Sequence, residues 1–340
     1  MFRGLKKDHF LKRIKKWGLP GQFPTFYYIE VTSACNLKCK TCPRTYSNRK
    51  RGHIDHEIFS KVIEEISKYI PQPHNIGFHF FGEALLNPSF FDYVNLTAKY
   101  LPNAELAVSS NASLLDETKI DAILDSRLNS FGIWPDAIDQ TTYDQIRPGG
   151  DYHRTNSMIM RLLEKRKIRN REKDLEIHIG MVVNKINRRY IDKFIKKWRK
   201  SFGRYENTHL YKNHSIDWAG QVPSETVLRS KKNTIFPIIY PCLSPFTTCI
   251  VTSSGDITCC CLDCNLKLKI GNIRGSSIKE IWSSEKSQEI RSKMIEMTFS
   301  LNDLCYHCHN YFRDPFNYLN DKIRAVVSPF DMQPWGKIDS

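Results

Sequence analysis

No stretch of about 18 apolar residues occurs in the 340-residue sequence, which rules out a membrane-spanning helix. The basic N-terminus is not followed by an apolar segment of about 7–15 residues, so a secretory signal is not expected. Low-complexity tracts and sequence repeats are missing. So is any aromatic-interleaved basic motif of a nucleic-acid module, and nucleic acid is not an expected partner. The cysteines do not form an even set: there are eleven, in a chain without an export signal. In a reducing cytoplasm, the expected location, that usage favours metal ligands over disulfides.

Positive charge is abundant. The formal net charge is +15, and residues 161–173 carry seven Lys or Arg against two Glu. Such an excess attracts anionic partners, and an anionic substrate is expected, although a solvated helix face is the plainer reading of this run.

From residue 26 onward, β-prone runs alternate with helical patterns. Strands are expected at 26–31, 76–81, 106–110, 130–134, 176–183 and 209–211. Between the first two, Ile58, Val62, Ile66 and Ile70 recur at helical spacing behind Asp55, a candidate N-cap; Asp116 opens a second helix in the same way. Repeated strand–helix alternation points to right-handed βαβ units and a parallel sheet, open or closed into a barrel. Six units fit between residue 26 and about 215. Beyond that point Ser, Thr, Pro and Gly rise, and eight of the cysteines lie between 242 and 308, as expected of a loop-rich domain held by metal. Four regions follow: a basic amphipathic helix over 1–25, a barrel over 26–215, a cysteine-rich domain over 216–312 and a tail over 313–340. The first helix either covers the end of the barrel or lies on an anionic surface.

Directly after the first strand stand Cys35, Cys39 and Cys42, in "VTSACNLKCKTCPRT". A C-x3-C-x2-C spacing brings three thiolates from one loop to one iron–sulfur cluster and leaves one iron open, as a working metal site requires. Zinc or three unrelated thiols are the alternatives at this point. In βα folds the loops after the strands form the active face. Gly82 and Glu83 follow strand two, Asn111 strand three, Asp136 strand four and Asn184 strand five, so five positions converge on one rim.

Together these residues resemble the radical SAM superfamily, whose cluster loop has this cysteine spacing and whose open iron binds S-adenosyl-L-methionine. Gly82 and Glu83 match the GGE-type motif, in which backbone and carboxylate bind the amino group of the cofactor. Asn111 stands where "TNG" is usual, and "FGIWPDAIDQTTYDQIRPGGDY" resembles the strand-four segment that contains Asp136 and ends at Arg147–Gly150. The resemblance implies cofactor binding by Gly82, Glu83, Asn111, Asp136 and Arg147, within a partial (β/α)6, TIM-like barrel. There are departures: "TNG" reads Ser110-Asn111-Ala112, Trp134 replaces a customary Ser, and Thr41 replaces an aromatic before the third cysteine.

The segment from Cys242 through "GNI" and "SIKEIW" resembles a SPASM domain in its shortened, single-cluster form, as in aminocyclitol-oxidising members. That resemblance implies an auxiliary [4Fe–4S] cluster on Cys242, Cys260, Cys305 and Cys308. Cys259 and Cys261 leave the second ligand ambiguous by one residue; Cys249, Cys259, Cys261 and Cys264 are then packed or spare. A zinc ribbon is the rival, and under the iron–sulfur reading His307 and His309 are near the cluster without ligating it. The implied activity is an oxidoreductase that cleaves S-adenosyl-L-methionine reductively and abstracts hydrogen from a sugar, aminosugar or nucleotide-linked carbohydrate. Its first [4Fe–4S] cluster would be fed by an external donor such as flavodoxin or ferredoxin, and the auxiliary cluster would accept the substrate's electron. A maturase of a ribosomally made peptide, and a non-catalytic metal-binding adaptor for nucleic acid, are the alternatives.

Overall fold

A computed structural model describes residues 23–228, 242–296 and 298–308, and the backbone of short strands at 238–239, 312–313 and 336–337. The basic helix expected over 1–25 lies outside the described residues except for 23–25, as does almost all of the tail expected over 313–340.

The first part of the chain alternates as expected: β1 (Phe26–Ile29), α1 (His56–Ser67), β2 (Asn75–Gly77), α2 (Phe90–Tyr100), β3 (Glu105–Ser110), α3 (Glu117–Asp125), β4 (Ser130–Ile133), α4 (Gln140–Ile146), α5 (Tyr152–Ile168), β5 (Glu176–Val183), α6 (Ile191–Phe202) and β6 (Thr208–His214). The cysteine-rich part adds β7 (Ile238–Ile239), α7 (Ser244–Thr247), β8 (Thr248–Val251), β9 (Asp256–Thr258), β10 (Lys269–Asn272), α8 (Ile278–Ser283), α9 (Glu285–Glu296) and α10 (Leu304–His307). Last come β11 (Phe312–Arg313), paired with β7, and β12 (Gly336–Lys337).

Strands β1 to β6 pair in chain order and all in parallel, with helices in the crossovers, which makes a partial (β/α)6 barrel. The cysteine-rich part is not a separate sheet. Its β8 pairs in parallel with β1, from Phe26 opposite Thr248 to Ile29 opposite Val251. The β9 and β10 strands extend that edge antiparallel, and β12 closes the other edge antiparallel on β6.

Alternation along the strands sorts the side chains. Tyr27, Ile29, Ile76, Leu106, Val108, Phe131, Ile133, Ile177 and Ile179 are all buried in one apolar core that includes the helix faces. In α1 the buried stripe is Ile58, Phe59, Val62, Ile63 and Ile66. Ile70, expected to continue it, is 88 % exposed, because the helix ends at Ser67. Asp55 precedes α1 in extended conformation but makes no side-chain cap; its carboxylate pairs with Arg274 instead. Asp116 does cap α3, accepting from the Lys119 amide at 2.7 Å. The basic run on α5 is answered by α3: Arg161 and Lys165 pair with Glu117, and Lys165 and Arg169 with Asp121. It is a salt-bridged outer face.

Candidate active site

The loop after β1 carries Cys35, Cys39 and Cys42 at the C-terminal rim of the sheet. It is pinned from several sides. Buried Arg44 donates to the carbonyls of Ser33 at 3.0 Å and Cys35 at 3.3 Å, and the Lys40 amide donates to Ile146 O at 3.1 Å. All eleven cysteines are free thiols. Cys35, Cys39 and Cys42 lie within electrostatic reach of one another; burial first, then the neighbouring thiols, push the Cys42 thiol up to about 12. Three thiols that repel one another as thiolates are a poor arrangement for a bare protein and a suitable one around a cationic iron core. Asn111 Nδ2 also points at Cys35 Sγ, 3.7 Å away, the kind of N–H···S contact that tunes a cluster.

The loop after β2 locks onto the cysteine loop. A Cβ on Gly82 would fall 1.8 Å from Thr32 O, so only glycine permits this approach. The next amide, Glu83 N, donates to Ala34 O at 2.8 Å. The buried Glu83 carboxylate accepts from Ser110 Oγ at 2.8 Å, Asn111 N at 2.7 Å and Leu85 N at 3.3 Å. Burial raises its proton affinity, while those donors and the Arg147 charge work in the opposite direction. An incoming ammonium group would favour the ionised form further. Ala112, standing where the related motif has glycine, keeps the left-handed turn at φ 60°.

Asp136 and Arg147 are brought together, as a buried pair. Asp136 Oδ2 accepts from Arg147 Nη2 at 2.6 Å and Nε at 3.1 Å, while Oδ1 accepts from the Val182 amide at 2.6 Å. Burial works against the Arg147 charge, but the facing Asp136 carboxylate, with Cys39 nearby, outweighs it and keeps the guanidinium protonated. Arg147 therefore sets a fixed positive charge beside the cysteine loop. Asn184 directly follows β5. Its Oδ1 accepts from Ile186 N and Asn187 N, so it shapes its own turn.

In the cysteine-rich part, Cys260 lies within electrostatic reach of Cys305 and Cys308, and Cys305 within reach of Cys242. Burial, then neighbouring thiols, raise both Cys260 and Cys305. Two sulfurs here also accept amide N–H bonds: Cys242 from Ser244 and Cys260 from Leu262. Cys249, Cys259 and Cys264 are buried, with Cys259 beside Cys249. The His307 ring is engaged by Leu301 O at 2.7 Å; His309 lies outside the described residues. Among the described residues no three His, Cys, Asp or Glu side chains converge as they would on a single metal ion. The donor sets, all thiol and supported by N–H···S contacts, fit iron–sulfur clusters.

Two features had no signal in the sequence. One is Glu30, completely buried and held by Arg49, the Phe81 amide, and both the amide and hydroxyl of Ser253. It joins the cysteine loop, the Gly82 loop and the cysteine-rich part at a single carboxylate. The other is a cavity of about 70 Å3 inside the barrel, walled in part by Tyr28, His79, Ser109, Trp134, His178 and Tyr211. Small inward residues (Gly77, Ala107 and Gly132) leave this space open, and Gly180 makes room for the Trp134 ring, which a Cβ there would strike at 2.0 Å.

The fold and its two thiol clusters define an iron–sulfur enzyme on a partial barrel. Residues 29–198 match the radical SAM superfamily, and residues 242–309 match the SPASM iron–sulfur cluster-binding domain, which decides against a zinc ribbon. The chain belongs to the radical SAM superfamily and is an oxidoreductase whose cofactors are [4Fe–4S] clusters and S-adenosyl-L-methionine. It is similar to the S-adenosyl-L-methionine-dependent 2-deoxy-scyllo-inosamine dehydrogenase of Niallia circulans, with 24% identity over 286 residues, 83% of this chain and 91% of that protein. Among solved structures it resembles BtrN in complex with AdoMet and 2-DOIA, with TM-score 0.54 and 20% identity over 81% of this chain and 88% of that one. It also resembles Streptococcus suis SuiB bound to precursor peptide SuiA, with TM-score 0.61 and 14% identity over 87% of this chain and 72% of that one. No described helix is long and apolar enough to cross a membrane.

Proposed function

We propose that this enzyme oxidises a carbinol of a small polyhydroxylated ring, a sugar or an aminocyclitol, to a ketone. The observation that carries the reading is the barrel cavity. Its walls present hydroxyls, imidazoles and aromatic faces and, among the described residues, no Asp, Glu, Lys or Arg. Such a lining suits a ring with many hydroxyls, which hydrogen-bonds at its edges and stacks through its C–H face. It offers no cation to an anionic substrate, so an uncharged or amino-bearing ring is the better fit. The similarity to a 2-deoxy-scyllo-inosamine dehydrogenase along most of both chains supports the same substrate class. No feature of the cavity singles out a peptide.

In this reading Cys35, Cys39 and Cys42 hold the first cluster, and Gly82, Glu83 and Asn111 hold the amino-acid end of S-adenosyl-L-methionine. Glu83 provides the anionic partner of the ammonium. Asp136 orients Arg147, whose charge balances the cysteine loop. When bound, the cluster and S-adenosyl-L-methionine supply a radical that takes a hydrogen atom from substrate. The walls of the cavity hold the ring below the rim and keep water from it. Cys242, Cys260, Cys305 and Cys308 would hold the auxiliary cluster, whose chemistry would be that of an electron acceptor. Tyr28 supports that route, because it lines the cavity and its hydroxyl lies within electrostatic reach of Cys261, the neighbour of Cys260. A flavodoxin or ferredoxin donor, a cytoplasmic location, and division into 26–215 and 216–312 complete the proposal.

The test is anaerobic reconstitution followed by incubation with reductant, S-adenosyl-L-methionine and 2-deoxy-scyllo-inosamine. About eight iron per chain, 5′-deoxyadenosine and a ketone are expected. Iron for one cluster only, or 5′-deoxyadenosine with no oxidised ring from any polyol, would refute the reading.

A further inference from the structure

Oxidising a carbinol to a ketone removes three things: a hydrogen atom from carbon, an electron, and the hydroxyl proton. The proposed function, on which this inference rests, assigns the hydrogen atom to the cofactor-derived radical and the electron to the auxiliary cluster. Neither takes the proton. Arg147 is protonated and committed to Asp136, and Glu83 is committed to the rim of the site, so the acceptor must be sought in the cavity wall.

We propose that His79 is that acceptor: its imidazole receives the hydroxyl proton of the substrate as the C–O bond becomes C=O. The geometry singles it out. His79 follows β2 on the face of Gly77, which has no side chain to cover the ring; a Cβ there would come within 3.2 Å of His79 Cε1. The ring lines the cavity in T-shaped contact with Tyr28, centroids 5.2 Å apart. Its Nδ1 is shut off from water and from the cavity space, without a hydrogen-bond partner among the described residues, which leaves Nε2 as the ring nitrogen that a substrate in the cavity can meet. His178, the other imidazole in the wall, is already engaged by the Glu176 carboxylate at 2.9 Å. Burial lowers the proton affinity of His79, which keeps the ring neutral at physiological pH, with a nitrogen lone pair open to the hydroxyl proton, and favours release of that proton once it has been taken.

Atoms and electrons balance. The carbinol C–H and O–H bonds break and the C=O π bond forms. The hydrogen atom ends on 5′-deoxyadenosine, the electron on the auxiliary cluster and the proton on His79, which returns it to solvent after product leaves.

His79→Ala and His79→Gln are to be assayed as reconstituted holoenzyme on carbinol-deuterated 2-deoxy-scyllo-inosamine, glucosamine and myo-inositol. Iron content and melting temperature serve as folding controls. Removing a positioned base slows its step by about 100-fold or more. Ketone formation should fall by that factor, while deuterium still reaches 5′-deoxyadenosine, so the ratio of 5′-deoxyadenosine to ketone rises well above that of the wild type. A merely structural loss would lower both products together and leave the ratio unchanged, which overturns the assignment. So does full ketone formation by folded variants. If the wild type oxidises no member of the panel, the functional reading falls first and the role of His79 falls with it.

Discussion

Replacing Gly82 with alanine tests the contact between the cofactor loop and the cysteine loop. The added Cβ would lie 1.8 Å from Thr32 O, 2.6 Å from Thr32 C and 3.0 Å from Ala34 O, all of them backbone atoms that cannot swing aside. To regain an ordinary contact of 3.4 Å the two loops must part by about 1.6 Å. The Glu83 N–Ala34 O bond, now 2.8 Å, cannot survive that movement. Losing the bond costs about 1 kcal/mol and the overpacking about 1–3 kcal/mol, for a total of about 2–4 kcal/mol. In a protein of this size that lowers the melting temperature by roughly 3–6 °C. Because Glu83 moves with the loop, S-adenosyl-L-methionine should also bind at least tenfold more weakly by anaerobic calorimetry. Gly203→Ala is the control, since nothing lies within 4 Å of its Cβ position and its φ is −58°. If Gly82→Ala melts with the wild type and binds cofactor normally, the loop contact does not position the site.

Arg147→Met would leave the buried Asp136 carboxylate without its countercharge and should cost about 3–5 kcal/mol in chemical denaturation; adding Asp136→Asn should recover part of that loss, and strict additivity would contradict the pairing. Burial pushes His79 down to about 4, whereas in the unfolded chain it titrates near 6.5. As pH falls through that window the unfolded state takes up a proton that the folded state does not, so stability declines toward acid; His79→Gln should flatten the decline by up to about 2 kcal/mol between pH 7 and pH 5, measured by urea titration. Cys305→Ala combined with Cys308→Ala should halve the iron content and abolish ketone formation while S-adenosyl-L-methionine is still bound and cleaved; unchanged iron would remove those two residues from the ligand set.

Much of this architecture could be read from local pattern. The β5 strand has the expected bounds, 176–183, because Ile177, Ile179, Met181 and Val183 recur at every second position, a spacing that suits a strand and not a helix. The cysteine triad and the Gly82–Glu83 pair were readable as well, since each lies within a single loop. What could not be read depends on distant partners. The second strand was expected to reach residue 81, but its ladder stops at Gly77, and the Phe81 amide turns to Glu30. Glu30 looks like any strand carboxylate until Ser253, 223 positions along the chain, is folded against it. Asp55 had the sequence of a cap and lost that role to Arg274, 219 positions away. The cavity is written in absences, as small residues on separate strands, and becomes a site only when those strands are side by side.

The parallel pairing of β8 with β1 bears on the order of events during synthesis. The first of the described strands to emerge is a central one, and its neighbour on one side arrives more than 200 residues later. Until then β1 presents an open, apolar edge, and Glu30 lacks the Ser253 amide. Contacts of such long sequence separation form late. The cysteine loop that springs from β1 therefore reaches its final shape only after the C-terminal half has docked. Iron delivered to a nascent chain would meet an unfinished binding loop, so cluster insertion belongs to the completed polypeptide, and a chain cut near residue 215 should be a poor acceptor of iron as well as prone to aggregation.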